Sequence, residues 1–217
     1  MNATHAIKMF QRGGQFTPVA GKRPLLAGWT TAPKHDLDTL TGWCEHGDVG
    51  LRTGLVSGYC VVDVDASEIP DDLPVTVTAR TPRGGYHLYY TAPRYPVGNR
   101  VRIRPGLDIR GDGGQVVFVG AADGQYRWMD GRGPDDVPFA PWPEALLPAK
   151  LAEAMANVAT APAGQRNDIL NRTAHGLAKE GIDPAPLANS SPLPAGETAA
   201  TLRSAAAARS GERRVGK

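Results

Sequence analysis

Tyr59-Cys60-Val61-Val62-Asp63-Val64-Asp65 sets a compact apolar run against two aspartates one position apart. A run of this kind reads as a buried strand, and period two puts both carboxylates on one face, with Cα atoms ~6.5 to 7 Å apart at the strand rise. Nothing in the neighbouring sequence neutralises the two charges. Hard divalent cations take several oxygen ligands and keep water or phosphate as the rest, so two convergent carboxylates are a candidate metal site. A strand end whose acids simply face water would be written with the same letters, and the motif alone leaves both readings open.

Downstream, the residues from Leu73 to Leu107 include no Asp or Glu but hold Arg80, Arg83, Arg94, Arg100, Arg102 and Arg104, while Asp63, Asp65, Glu68, Asp71 and Asp72 crowd just before them. An acidic cluster beside an arginine-rich, acid-free segment suits a site for metal ions and phosphates, although solvated loops can share the pattern. Val75 to Arg80 alternates Val and Thr as a strand does, and the Pro82-Arg83-Gly84-Gly85 turn joins it to a second strand from Tyr86 to Thr91. Gly84 and Gly85 allow a close backbone approach to phosphate, with N–H groups available as an anion nest, and His87 follows at the start of the aromatic strand. A second hairpin is expected where Gly111-Asp112-Gly113-Gly114 joins Leu107 to Arg110 with Gln115 to Val119. It makes Asp108 the best third carboxylate and Asp112 a turn residue. Three acids can hold two metal ions ~3.5 to 4 Å apart, the arrangement that activates a 3′-hydroxyl and stabilises leaving pyrophosphate.

Upstream, Ala6, Ile7 and Phe10 have helical spacing over Thr4 to Arg12, with Gly13-Gly14 as the stop. Asp36 is a good N-cap for a second helix carrying Leu37, Leu40, Trp43 and Cys44 on one face. After Gly131 a proline-rich stretch leads to helical patterns at Leu151 to Val158 and Ile169 to Lys179, which predicts domains at 1–150 and 151–217, the second ending in a frayed basic tail from Ala205 to Lys217.

Composition excludes several classes. A net charge of +2 is far from that of a dedicated basic nucleic-acid binder, and 41% hydrophobic residues is ordinary for a globular chain. Cys44 and Cys60 are too few for a disulfide framework and lack partners at zinc spacing, so no structural zinc is expected. Neither a signal peptide nor a membrane span is read, which predicts a cytoplasmic protein with no membrane partner. A Walker loop, a G-x-S-x-G serine and a His-hydrophobe-His nickase pair are all missing.

The order D-x-D, then Gly85-Tyr86-His87, then Asp108-Ile109-Arg110-Gly111-Asp112 resembles the bifunctional primase-polymerase (Prim-Pol) family of the archaeo-eukaryotic primases, common in phages and plasmids. The resemblance covers roughly residues 5 to 145 and includes Gly21-Lys22-Arg23-Pro24 with Gly28-Trp29, Gly50-Leu51-Arg52-Thr53-Gly54, and Ser57-Gly58. It implies an α+β catalytic core with an RNA-recognition-like sheet, an N-terminal α/β unit beside it, and a small C-terminal helical module. By the same resemblance, Asp63, Asp65 and Asp108 hold two Mg²⁺ or Mn²⁺ ions and His87 contacts the incoming triphosphate. Arg83, Gly84, Gly85 and Arg110 join His87 in nucleotide binding, and Arg94, Arg100, Arg102 and Arg104 track template phosphates. Gly85 stands where relatives often have Ser, two positions before the histidine, and no proline follows Phe118-Val119-Gly120. The expected partners are single-stranded DNA, nucleoside triphosphates and a fused or associated helicase. A non-catalytic single-stranded-DNA-binding initiator and a metal-dependent nuclease are the alternative readings.

Overall fold

The computed structural model describes residues 3–147, 149–180 and 182–212. The chain divides into two compact units, Met1–Pro143 and Glu144–Lys217, and its architecture is mixed α+β with antiparallel sheets. No helix among the described residues is long and apolar enough to cross a membrane.

The first unit opens with α1 (Ala3–Gln11), which buries Ala6 and Met9 and ends where Gly13 takes a positive φ. The chain continues through β1 (Gln15–Ala20), β2 (Arg23–Pro24), α2 (Leu37–His46) and β3 (Asp48–Arg52). Asp36 caps α2 as its sequence predicts, its carboxylate accepting the Thr39 N–H at 2.9 Å. Arg52 is 3% exposed and donates to the carbonyls of Thr30, Ala32 and Pro33, fastening the loop before α2. Next come β4 (Tyr59–Val64), β5 (Val77–Arg80), β6 (Tyr86–Thr91), β7 (Arg100–Arg104), β8 (Leu107–Arg110), β9 (Gln115–Val117), α3 (Ala121–Gly124) and β10 (Arg127–Trp128).

Two sheets result, one ordered β2-β1-β3-β9 and the other β10-β5-β6-β4-β8-β7. Every residue of β4 except Asp63 is buried, because this apolar strand lies at the centre of the larger sheet. On one face of that sheet Val61, Val77, Ala79 and Tyr89 join the apolar residues of α1, α2, β1, β3 and β9 in a single core. The hairpin expected at Pro82 to Gly85 forms between β5 and β6.

The hairpin expected at Gly111 to Gly114 does not form. β8 pairs with β4 and β7, whereas β9 joins β3 in the other sheet, so this glycine-rich segment carries the chain from one sheet to the next. Its glycines serve close approach, not reversal: a Cβ on Gly111 would run into the Val97 carbonyl, and one on Gly114 into the Asn99 side chain. Asp112 fastens the crossing by accepting the N–H groups of Leu55 and Val97, each at 2.8 Å.

The second unit holds α4 (Ala149–Ala159), α5 (Arg166–Lys179) and α6 (Ala195–Glu212) around Leu151, Val158, Leu170, Ala174, Leu187 and Leu202. The tail expected to fray from Ala205 continues α6 as far as Glu212, because small alanines allow close packing and Ala205 is wholly buried. Residues 213–217 of that tail lie outside the described residues.

Candidate active site

Antiparallel register assembles the site. Asp63 on β4 lies opposite His87 on β6 and opposite Asp108 on β8, so three adjacent strands present these side chains in one row on one face. Two positions along, Val61, Tyr89 and Arg110 form the next row, where Val61 and Tyr89 enter the core. The polar row therefore lies at the edge of the contact between the sheets.

Arg110 brings a cation to this row. Its Nη2 donates to Asp63 Oδ2 at 3.1 Å and to Asp108 Oδ2 at 2.8 Å. The Asp63 charge, uncompensated by its sequence neighbours, is thus partly neutralised from 47 positions away in sequence. Of the second oxygens, Asp108 Oδ1 accepts the Arg102 backbone N–H at 2.7 Å, whereas Asp63 Oδ1 stands 3.6 Å from His87 Nε2, beyond hydrogen-bond distance. Arg102 presents that N–H from a left-handed conformation, φ 53°, inside an irregular stretch of the β7–β8 ladder.

His87 is 6% exposed, and its Nδ1 has no hydrogen-bond partner among the described residues. Burial pushes its pKa down to about 4; Asp63 opposes that shift, while Lys22 and Arg110 reinforce it. The ring is therefore neutral at physiological pH, able to donate one N–H and accept at the other nitrogen. Lys22, Asp63, His87, Arg110, Gln115 and Tyr126 line one cleft. Lys22 enters from the turn between β1 and β2, where the Gln115 side chain donates to its carbonyl at 2.9 Å. Tyr126 lies beside the histidine, with ring centroids 5.8 Å apart.

The other expected residues are divided among neighbouring surfaces. Asp65, just beyond β4, is exposed and shares one pocket with Asp108, Arg102 and Gly106 and another with Arg83, Gly84 and Gly85. Arg83, Gly84 and Gly85 thus stand beside Asp65, while His87 and Arg110 stand in the Asp63 cleft. Gly85 packs so closely on the Val64 carbonyl that a Cβ would clash with it. Arg94 and Arg102 are exposed, Arg100 is half-buried, and Arg104 pairs with Asp72 at 2.6 Å. Lys22 and Tyr126 are additions to the site. The lysine lies within a sequence segment that already carries the family resemblance, whereas nothing near Tyr126 in sequence marks it.

The donor set suits hard divalent cations. Asp63 and Asp108 offer carboxylate oxygens from adjacent strands, and a cationic group, the Arg110 guanidinium, already lies between them. Among the described residues no three His, Cys, Asp or Glu side chains gather as one metal-ligand group.

An antiparallel α+β unit whose central strands present a carboxylate pair bridged by arginine and a neutral buried histidine, with a lysine from the other sheet at the Asp63 cleft, defines a protein suited to polyanions near acidic groups. Its sequence fits the family described as bifunctional DNA primase/polymerase, N-terminal (Prim-Pol), over residues 6–145. The chain belongs to that family, which implies primase/polymerase nucleotidyltransferase activity in DNA replication. No curated protein matches it.

Proposed function

We propose that this chain synthesises primers on single-stranded DNA and extends them by template-directed nucleotidyl transfer, in the replication of a phage or plasmid in the host cytoplasm. The larger sheet takes the part of the family's RNA-recognition-like core, with the smaller sheet and its helices as the N-terminal α/β unit. The observation that carries the reading is the row of Asp63, His87 and Asp108 across β4, β6 and β8, in a chain of this family.

Asp63 and Asp108, with Asp65 from the strand end, would hold two Mg²⁺ or Mn²⁺ ions. When bound, these supply Lewis acidity at the primer 3′-hydroxyl and offset charge on the departing pyrophosphate. His87, neutral and shielded from water, donates an N–H to a phosphate oxygen without adding a titrating charge. Lys22 and Arg110 in the same cleft place positive charge against the triphosphate, and the Arg83 turn flanks it beside Asp65. Arg94, Arg100, Arg102 and Arg104 meet template phosphates, and a fused or associated helicase would supply the single strand.

The test is synthesis of labelled product on a single-stranded template with ribo- or deoxyribonucleotides and Mg²⁺ or Mn²⁺. Product from the native chain, with a loss of at least about a hundredfold in Asp63→Asn and Asp108→Asn, is expected. A folded native chain that binds the strand yet neither starts nor extends a primer would sink this reading in favour of the initiator. Cleavage of the template without any synthesis would favour the nuclease.

A further inference from the structure

Arg110 occupies the place between the carboxylates that the proposed chemistry requires for metal. Asp63 and Asp108 face each other across adjacent strands with side chains 16% and 18% exposed, and one guanidinium nitrogen bridges them. Without a cation between them, two such carboxylates would repel each other. Arg110 takes one lone pair of both Asp63 Oδ2 and Asp108 Oδ2 and sets a positive charge where a divalent ion would sit, while Asp108 Oδ1 is already held by the Arg102 N–H. Arg110 therefore opposes metal entry, by its charge and by the acceptor sites it fills, and metal binding favours its release. Its side chain is 30% exposed and lines the cleft shared with Lys22 and His87, so a phosphate bound there would be a ready new partner.

We infer that Arg110 is an exchangeable counter-ion. It keeps the carboxylate pair compensated until nucleotide binds and transfers to nucleotide phosphate as divalent ions take the aspartates. This inference rests on the nucleotidyl-transfer reading. Metal alone must compete with the guanidinium, whereas nucleotide phosphate draws the guanidinium away. Metal and nucleotide then reinforce each other's binding beyond what direct coordination between them supplies. The exchange also keeps the acidic site from filling with stray divalent ions when no nucleotide is present.

The experiment is a titration of Mn²⁺ alone, followed by electron paramagnetic resonance, into the native chain, Arg110→Gln and Arg110→Lys. The glutamine variant is expected to bind Mn²⁺ about tenfold tighter than the native chain, with lysine between the two because its point charge cannot grip both acids equally. Equal or weaker binding by folded R110Q overturns the inference. A native chain that binds Mn²⁺ and makes primers, beside an R110Q variant that does not tighten, discards the counter-ion alone and leaves the reading of the site standing. If neither protein binds Mn²⁺ at millimolar concentration, the carboxylate site and the counter-ion fall together. Should R110Q fail to fold, the native chain decides by nuclear magnetic resonance. A restrained guanidinium signal, assigned by its loss in R110K, should disappear at saturating Mg²⁺, and its persistence would overturn the exchange.

Discussion

A single missing Cβ at residue 85 separates packing from phosphate binding. Because the Val64 carbonyl fills the space where that carbon would lie, Gly85→Ala should lower stability by about 1 to 3 kcal/mol with no nucleotide present, read as a fall in melting temperature. An unchanged melting temperature with weakened nucleotide binding would return Gly85 to a phosphate-contacting role. His35 links another single position to pH. Its Nε2 accepts the Phe16 N–H at 2.7 Å, which requires an unprotonated nitrogen, and Nδ1 lies 3.0 Å from the Asp36 carbonyl. Burial is the main cause holding its pKa below the ordinary 6.5. The unfolded chain therefore takes up this proton first as pH falls, and binding more protons unfolded than folded means that stability rises with pH across that window. His35's contribution is thus intact above pH 6.5 and lost as pH drops from there through the lowered folded value. His35→Gln keeps an acceptor and removes the titration, so its melting temperature should fall less between pH 7 and 5 than the native chain's. Parallel curves would refute the linkage.

At the scale of elements, β7 combines two roles that one substitution separates. The Arg102 backbone N–H fixes Asp108, while its exposed side chain is assigned to template phosphate. Arg102→Gly keeps the N–H and accepts φ 53° without strain. Asp108 should stay anchored, and the salt slope of single-stranded DNA binding should shrink by roughly 0.7, the share of one phosphate contact. An unchanged slope would remove Arg102 from the DNA path. Element type was legible wherever local chemistry decides it: the apolar run of β4, the Val/Thr alternation entering β5, and the Asp36 cap of α2. The destination of β9 was not, because glycines at 111 to 114 look the same whether they reverse a chain or press it against Val97 and Asn99. The row Asp63, His87, Asp108 was legible as three residues but not as a register. Its Arg110 bridge stayed hidden because pairing across 47 positions leaves no mark in local spacing.

At the scale of the whole first unit, the cleft belongs to neither sheet alone. Asp63, His87 and Arg110 come from the larger sheet, whereas Lys22 and Gln115 come from the smaller, and the Gly111 to Gly114 crossing joins the two. The smaller sheet is therefore a working wall of the site as well as its packing partner. Lys22 tests this directly, since its side chain is exposed and its place in the turn is held through its backbone carbonyl by Gln115. Lys22→Met should leave the melting temperature of the free protein within about 1 °C, as expected for an exposed residue whose change costs a few tenths of a kcal/mol. It should weaken nucleotide binding about tenfold at low salt, the loss expected of one charge-assisted contact to phosphate. The difference from the native chain should narrow as salt rises, because the ammonium acts through an open, screened cleft. Equal nucleotide affinity in K22M and the native chain at low salt would confine triphosphate binding to the larger sheet, with His87 and Arg110 as its only cleft contacts.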